Sequence, residues 1–301
     1  MKHVDTPTKK DIRMRKIILH TCLFSTALTY ANDTVENGYI SKGNLAVKTS
    51  QQPGPLFSFG QNIVDKGDLQ IYTATDHLKG RCRKETTVSP ALVYGVTPQF
   101  SLFINIPVAT KLQLASSRSS GIGDVLVQGE YTIHEKEAPT HENLITIVGG
   151  ISFPTGSTEK LPATGIDGAG FFLGTVASHL AHEWYVFASP GTLFTTSRHG
   201  TKSGNQFLYQ WGFGKNLAYK KDCFVLSWIV EFDGVYTQRT KKCSVITPNT
   251  GGNIFYIGPS LWFSTQHLIV QAGIACPVVQ HLNGTQQKEK YSALVNIGWT
   301  F

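Results

Sequence analysis

Apolar and polar residues alternate one by one along much of the chain after residue 67, and the last eleven residues, YSALVNIGWTF, show this most clearly. Successive side chains of a β-strand point to opposite faces, so this segment has one apolar and one mostly polar face. The apolar face consists of Tyr291, Ala293, Val295, Ile297, Trp299 and Phe301. Aromatic residues at the end of such a strand suit a membrane interface, and the segment is predicted to close a transmembrane barrel.

Strand-length segments separated by turn residues fill the rest of the chain, and none shows the 3.6-residue period of an amphipathic helix. The predicted strands are 68–78, 86–96, 99–109, 122–133, 143–153, 169–180, 184–195, 205–217, 223–237, 253–264, 267–279 and 290–301. The faces of 169–180 and 184–195 stay unassigned. The fold class is therefore all-β: one antiparallel up-and-down transmembrane β-barrel of about 12 strands, with ten and fourteen as alternatives.

The polar face distinguishes a membrane barrel from a soluble sandwich, which alternates as well. It carries Ser, Gly, Asn, Gln and Thr with a few acids and almost no Lys or Arg. Small uncharged groups suit the crowded interior of a barrel. Charged residues make up 16% of the chain, against roughly 25% in soluble domains. No apolar run after residue 31 approaches the ~20 residues of a spanning helix, which excludes a membrane helix bundle.

The N-terminus has the pattern of an export signal. Basic residues up to Lys16 precede the short apolar run IILHTCLFSTAL, and small residues precede a cleavage site after Ala31. Either Met1 or Met14 is the start. We therefore divide the chain into a signal peptide (1–31), a flexible periplasmic segment without periodicity (32–66) and the barrel (67–301). Whether residues 32–66 plug the lumen stays open at this stage.

The lengths of the connections predict which side of the membrane each one faces. Bacterial barrels have long outer loops and short inner turns. The predicted outer loops are 79–85, 110–121, 154–168, 196–204, 238–252 and 280–289. The predicted inner turns are 97–98, 134–142, 181–183, 218–222 and 265–266, of which only 134–142 is long.

The outer loops carry most of the excess positive charge, with a net charge of +9 in a chain of net charge +7. The basic candidates are Lys79, Arg81, Arg83, Lys84, Arg198, Arg239, Lys241 and Lys242. One interpretation is contact with lipopolysaccharide phosphates, or a basic mouth that concentrates anionic solutes. The other is solvated loops without a partner. No nucleic-acid partner is expected, because these residues face the cell exterior.

Four acidic residues are predicted by parity to point into the lumen: Asp124, Glu130, Glu231 and Asp233. No strand Lys or Arg matches them, and unpaired buried charge is costly. Either the lumen is wet, or outer-loop arginines pair with these acids, or some acids are protonated. The acids are candidates for a constriction, and structural pairing with loop residues is the alternative.

Four cysteines follow the signal peptide, in a compartment that permits disulfides. Cys82 and Cys243 both lie in predicted outer loops and are the candidate pair. The spacing of the cysteines does not resemble a zinc site, and no metal or cofactor is predicted.

Catalytic arrangements are weak in this sequence. Gly121-Ile122-Gly123-Asp124 opens a strand and lacks the third glycine of a dinucleotide fingerprint. Ser178, His179 and His182 lie near a strand end, but nothing supplies a third catalytic group. No catalytic residue is assigned.

Two glycine-rich segments, GIGDVLVQGEYTIHE (121–135) and ITIVGGISFPTGS (145–157), resemble the phenol-degradation MetA-pathway family of outer-membrane proteins. FSFGQNIVDKGDLQIYTAT (57–75) resembles that family's entry into its first strand, and the resemblance covers roughly residues 57–301. The matching positions are Gly121, Gly123, Asp124, Pro154, Thr155 and Gly156. The resemblance implies an outer-membrane, transporter-like barrel that passes small, often aromatic or hydrophobic compounds, without established catalytic residues.

Three functions remain open at this stage: a channel for small solutes, a non-conducting barrel whose loops bind a surface partner or lipopolysaccharide, and a barrel enzyme acting on lipid. Twelve tilted strands give a backbone diameter of roughly 24 Å, which admits small solutes only. The expected partners are outer-membrane lipid, lipopolysaccharide and the barrel-assembly machinery, which would engage the C-terminal strand ending at Phe301.

Overall fold

The structure is a computed structural model that describes residues 42–60 and 62–301. The predicted signal peptide, residues 32–41 and residue 61 lie outside the described residues. Within the described part, no helix has the length and apolarity needed to cross a membrane. Two short 3-10 turns, Gly43–Leu45 and Thr49–Gln51, precede the strands.

Strands make up nearly all of the chain after residue 68. Their bounds are β1 Leu69–Gly80, β2 Arg83–Thr97, β3 Phe100–Asn105, β4 Val108–Leu114, β5 Ser117–Ile122, β6 Val125–Ala138, β7 His141–Phe153, β8 Gly170–Ala181, β9 Trp184–Thr195, β10 Ser197–Arg198, β11 Thr201–Lys202, β12 Gln206–Lys220, β13 Phe224–Thr237, β14 Lys241–Lys242, β15 Val245–Ile246, β16 Gly252–Thr265, β17 Leu268–Leu282 and β18 Glu289–Thr300.

The wall is a closed antiparallel barrel of twelve strands, as the alternation predicts. Neighbouring strands pair in chain order, and β1 closes the barrel by pairing with both β2 and β18. The third wall strand is β3 continued by β4, because both pair with β2. The fourth is β5 continued by β6. A closed wall leaves no unpaired strand edge in lipid.

Side chains alternate between the two surfaces of the wall. On β13, Val225, Ile229 and Glu231 are buried, while Phe224 and Trp228 on the other face are partly exposed. On β8, whose faces the sequence left unassigned, Phe171 and Leu173 are exposed outward and Phe172 is buried inward. Large aliphatic and aromatic side chains cover the exterior, as on a lipid-facing barrel surface.

Several connections differ from the predicted ones, and two of them contain more strand than the sequence indicates. The stretch 134–142 is not a long turn, since β6 continues to Ala138 and β7 begins at His141. These strand ends pair polar residue with polar residue, for example Glu137 with Glu142, so the alternation that marks a strand is lost. Outside, 110–121 forms the β4–β5 hairpin instead of an open loop.

The segment before β1 lies inside the barrel. Residues 43–60 and 62–64, which we call the plug, are buried, apart from the partly exposed Leu45 and Lys48. The prediction that this segment lies in the periplasm is therefore wrong for the plug. The lumen accepts it because its polar groups meet polar wall side chains and its apolar groups meet apolar ones.

Candidate functional site: the plugged lumen

The plug enters the lumen from the inner end of the barrel. Asn44 Nδ2 donates to the Ala181 carbonyl at 3.0 Å, beside the inner β8–β9 turn. The Ala46 carbonyl accepts the backbone N–H of Asp222, in the inner β12–β13 turn, at 2.8 Å. Both contacts lie at turns that the connection lengths place on the periplasmic side. The plug therefore begins at the periplasmic mouth.

A second pair of contacts ties the plug to the inner end of the closing strand. Gln51 Nε2 donates to Thr300 Oγ1 at 2.7 Å. The Gln51 carbonyl accepts the Ser264 hydroxyl at 2.5 Å. Gln51 thus ties the first half of the plug to β18 and β16, and Lys48 adds an ion pair with Asp68 at 3.3 Å.

Glu231, near the middle of β13, holds the centre of the plug. One carboxylate oxygen accepts the backbone N–H of Leu56 at 2.7 Å, and the other accepts those of Phe57 at 2.9 Å and Ser58 at 2.7 Å. A carboxylate that accepts three backbone N–H groups satisfies donors that would otherwise be buried without partners.

Two neighbouring side chains extend this anchor. The Ser58 hydroxyl donates to Asp233 Oδ1 at 2.5 Å. The backbone N–H of Phe59 donates to Gln210 Oε1 at 3.2 Å. The centre of the plug is therefore bonded to β12 and β13 through side chains only, without strand pairing.

Glu130 on β6 holds the returning limb of the plug. Its carboxylate accepts both the backbone N–H and the side-chain amide of Asn62, the latter at 2.5 Å. Gln128 Nε2 donates to the same carboxylate at 2.6 Å. Further along, the N–H of Val64 donates to Ser101 Oγ at 3.0 Å, which brings the chain back toward the start of β1.

Glycines in the wall make room for the two phenylalanines of the plug. A Cβ atom on Gly258 would lie 2.7 Å from Phe57 Cδ2, and one on Gly273 would lie 2.8 Å from Phe57 Cε2. Glycines 174 and 191 border Phe59 in the same way. No larger residue fits at these positions while the plug is docked.

Asp124 has a different role from the other three acids. Its carboxylate accepts the backbone N–H of Gly156 at 2.9 Å and that of Ile166 at 2.6 Å. The Thr155 hydroxyl donates to the Gly123 carbonyl at 2.7 Å. The two glycine-rich motifs therefore meet in space, where they fasten the outer loop 154–169 to the wall.

Close packing explains the small residues of these motifs. A Cβ atom on Gly156 would lie 2.4 Å from the Cα of Gly165. Gly121 has a φ of 147°, which a residue with a side chain rarely adopts. The motif residues attach the outer loop to the wall. Within the described part of the chain, no hydrogen bond joins them to the plug.

Arg83, predicted in an outer loop, lies within the outer end of the barrel instead. Its guanidinium bonds Glu85 at 2.6 and 2.8 Å and Glu289 at 2.8 Å. The Glu289 carboxylate also accepts the hydroxyl of Tyr256. A loop arginine does fold inward, as one hypothesis held, but it pairs with Glu85 and Glu289 and not with the four predicted acids.

The other basic candidates stay at the surface. Lys79 Nζ lies 5.9 Å from the centre of the Tyr291 ring, and Arg239 donates to Asn283 Oδ1 at 3.2 Å. Arg81 and Lys84 are exposed. Arg198, Lys241 and Lys242 lie on a small sheet formed by two outer loops.

The predicted disulfide is absent, since Cys82 and Cys243 are both free and exposed. Cys82 lies in the short β1–β2 turn, whereas Cys243 lies in the β14–β15 turn. Around the barrel, strands β18 and β17 lie between these two connections. The cysteine prediction is therefore wrong because both loops are fixed by their own strand pairing.

Neither a catalytic pair nor a metal site appears in the described part of the chain. Ser178 is buried inward and His179 lies on the opposite, outer face of β8, where its ring stacks on Trp184 with 4.5 Å between centroids. These two side chains do not act together. Within residues 42–60 and 62–301, no group of three or more His, Cys, Asp or Glu is arranged to hold a metal ion.

The alternation correctly placed Glu130, Glu231 and Asp233 on the inner face, but it did not reveal their partners. A signal was present, because three inward acids without basic partners need other donors. Two aromatic residues, Phe57 and Phe59, in a segment without periodicity were a second signal. The role of these acids as a constriction of an open channel stays a prediction.

The model of the family described as putative MetA-pathway of phenol degradation matches residues 54–276. An outer membrane channel from Pseudomonas putida F1 is similar in structure, with a TM-score of 0.65, 11% identity, and coverage of 79% of this chain and 97% of that one. NanC porin has a TM-score of 0.46, 12% identity and coverage of 76% and 98%, and KdgM porin 0.44, 9%, 77% and 99%. No curated protein matches the sequence. The first of these likenesses shows a shared barrel fold.

Proposed function

The chain belongs to the family described as putative MetA-pathway of phenol degradation, and on this premise we propose that it is an outer-membrane channel whose plug closes a passage for small solutes. Its location is the outer membrane of a Gram-negative bacterium. The observation that carries the proposal is that the plug, and not the wall's own side chains, fills the lumen around Glu231. A lumen filled by a separate segment becomes a passage when that segment leaves.

The way the plug is attached supports its movement. The wall is closed by the pairing of β1 with β18, which does not involve the plug. The plug is joined to β1 through residues 65–68. It is otherwise held by packing, by side-chain hydrogen bonds, and by two backbone hydrogen bonds to the inner turns, which join Asn44 to His182 and Asp222 to Ala46. It therefore leaves without breaking the hydrogen-bonded ladder of the wall.

The lining of the lumen supports a passage for small solutes. Buried wall side chains include polar atoms without a hydrogen-bond partner within the described residues, among them Asn105 Nδ2, Ser152 Oγ and Ser189 Oγ. Such atoms bind a polar group of a passing solute. The family's description, which names phenol degradation, and the apolar clusters around the plug support a small aromatic or hydrophobic solute.

A filled lumen also favours a second candidate, a non-conducting barrel that uses its outer loops for binding. The two functions differ in what happens when the plug is weakened or removed. A channel then conducts, whereas a structural barrel loses stability without gaining conductance.

Single-channel recording in planar bilayers tests the proposal. We expect low conductance for the full chain and a larger, steady conductance for a variant that lacks residues 43–64. If that variant does not fold, the Glu231→Gln, Asp233→Asn double variant serves the same purpose with the plug retained. Folded variants with no more conductance than the full chain would overturn the channel and leave the structural barrel.

A further inference from the structure

Two outer loops fold together into a small sheet above the barrel. Strands β10 and β11 come from the connection between β9 and β12, and β14 and β15 come from the connection between β13 and β16. They pair in the order β10-β11-β14-β15, so β11 and β14 join the two loops. We call these four strands the outer sheet.

The charge of the outer sheet and its loops is entirely positive. Residues 196–205 and 238–251 contain no Asp or Glu. Their basic residues are Arg198, Lys202, Arg239, Lys241 and Lys242. Two neighbouring loops whose charged residues are all basic create a local positive potential that attracts anions.

The register of the outer sheet places like charges side by side. Lys202 is directly opposite Lys241 across the β11–β14 pair. Both side chains are exposed, and within the described residues no salt bridge joins either of them to a carboxylate. Like charges directly opposite each other destabilise a strand pair. An anion that bridges the two ammonium groups removes this repulsion.

The adjacent row carries two more cations on the other face of the outer sheet, with a neutral residue between them. Arg198 and Lys242 both pair with Thr201, one from each side. The edge strand β15 adds two aliphatic side chains, Val245 and Ile246, that are 69% and 51% exposed. The outer sheet therefore combines cations on both faces with an apolar edge.

We propose that the outer sheet binds phosphate groups of lipopolysaccharide, with Lys202 and Lys241 as the central pair. Ammonium groups form short, strong hydrogen bonds with phosphate oxygens. The outer sheet lies at the outer ends of β9, β12, β13 and β16, on the side of the membrane where lipopolysaccharide forms the outer leaflet. The inference rests on the outer-membrane location and not on conductance.

Binding of labelled lipopolysaccharide to the full chain in detergent micelles tests this inference. The variant Lys202→Gln, Lys241→Gln removes the central pair, and Lys220→Gln, Lys221→Gln removes two exposed charges at a periplasmic turn as a control. We expect about tenfold weaker binding for the first variant and no change for the control. Lys202→Arg, Lys241→Arg should bind like the original chain, because the charges are kept.

The ligand is varied in the same assay. Lipopolysaccharide whose phosphates have been removed enzymatically should bind at least about tenfold more weakly to the original chain. Higher salt should weaken the binding of the phosphorylated form, because exposed charges are screened. The inference would be overturned if Lys202→Gln, Lys241→Gln bound lipopolysaccharide as tightly as the original chain. It would also be overturned if the original chain bound dephosphorylated and phosphorylated lipopolysaccharide equally. Competition by inorganic phosphate at concentrations as low as those of unlabelled lipopolysaccharide would also overturn it, because the site would then bind the free ion.

Discussion

The ring of Phe59 lies edge-on to the ring of Phe172, with 4.9 Å between their centroids and 81° between their planes. One ring belongs to the plug and the other to the inner face of β8. Edge-to-face pairs contribute about 0.5–1.5 kcal/mol beyond the area they bury. The contact fixes Phe59 between Phe172 and the glycines of β8 and β9, so the fit of the plug depends on the absence of side chains there.

The variant Gly174→Ala should open the channel. Its Cβ would lie 2.7 Å from Phe59 Cζ and 3.0 Å from Phe172 Cζ, so both rings of this pair would have to shift. Overpacking of this kind costs about 1–3 kcal/mol, and here the cost falls on the docked plug. Single-channel recordings should therefore show more frequent opening. Gly149→Ala, where a Cβ meets nothing within 4 Å, is the control and should behave like the original chain.

The variant Glu231→Gln, Asp233→Asn should weaken the docking of the plug while it preserves side-chain size. Hydrogen bonds to a charged acceptor contribute about 1.5–3 kcal/mol each, and Gln presents an N–H where one carboxylate oxygen accepted donors. We expect the open fraction to rise at least about tenfold in bilayer recordings. The exposed acid Glu159→Gln is the control. Unchanged openings in the double variant would mean that these acids do not hold the plug closed.

The variant Arg83→Gln should destabilise the outer end of the barrel. It leaves the buried carboxylates of Glu85 and Glu289 without their cation, and breaking a buried pair costs about 3–5 kcal/mol. The measurement is the temperature at which the folded barrel loses its altered mobility on a denaturing gel. Arg81→Gln removes an exposed charge two residues away and should leave that temperature unchanged. Equal temperatures for both variants would contradict the assignment of Arg83 to the barrel interior.

The variant Ile274→Arg should impair insertion of the barrel. Ile274 is 52% exposed on the outer face near the middle of β17. An arginine facing lipid near the midplane costs about 2–4 kcal/mol. Val245→Arg changes a comparably exposed aliphatic residue on the outer sheet, away from lipid, and should fold normally. Folding yield into lipid vesicles distinguishes the two, and an equal yield would argue against a lipid-facing exterior at Ile274.

Cysteine labelling tests both the free thiols and the orientation of the chain. In single-cysteine variants on intact cells, a large, impermeant PEG-maleimide should modify Cys82 or Cys243. It should modify Cys223, in the inner β12–β13 turn, only after the outer membrane is disrupted. A band shift is the measurement. Labelling of Cys223 on intact cells would reverse the assignment of inner and outer ends.

The wall could be predicted from the sequence because a strand beside lipid alternates strictly. A polar residue at an outward position such as Trp228 would face lipid. A bulky residue at an inward glycine would collide with the side chains that fill the lumen. The inward position of Glu231 followed from its neighbours by parity alone. Where the strands leave the membrane, as at 134–138, both faces become polar and the pattern ends before the strand does.

The plug could not be predicted because a buried segment without regular structure has no period. Its backbone donors are satisfied by side chains on distant strands, such as Glu231 for Leu56 and Glu130 for Asn62. A sequence does not display a bond between a backbone N–H and a carboxylate 175 positions away. The pairing of Arg83 with Glu289 across 206 positions was hidden for the same reason.

The short link between the plug and β1 has a consequence for biogenesis. The pairing of β1 with β18 completes the wall. Only residues 65–68 separate β1 from the last buried residue of the plug, Val64. Because the link is short, β1 and β18 pair while the plug is close to the lumen. The docking of the plug and the pairing of β1 with β18 should therefore occur as one event. We expect weakened docking, as in Glu231→Gln, to slow the final stage of refolding into vesicles. A refolding time course with an unchanged last phase would show that β1 pairs with β18 first and that the plug docks afterwards.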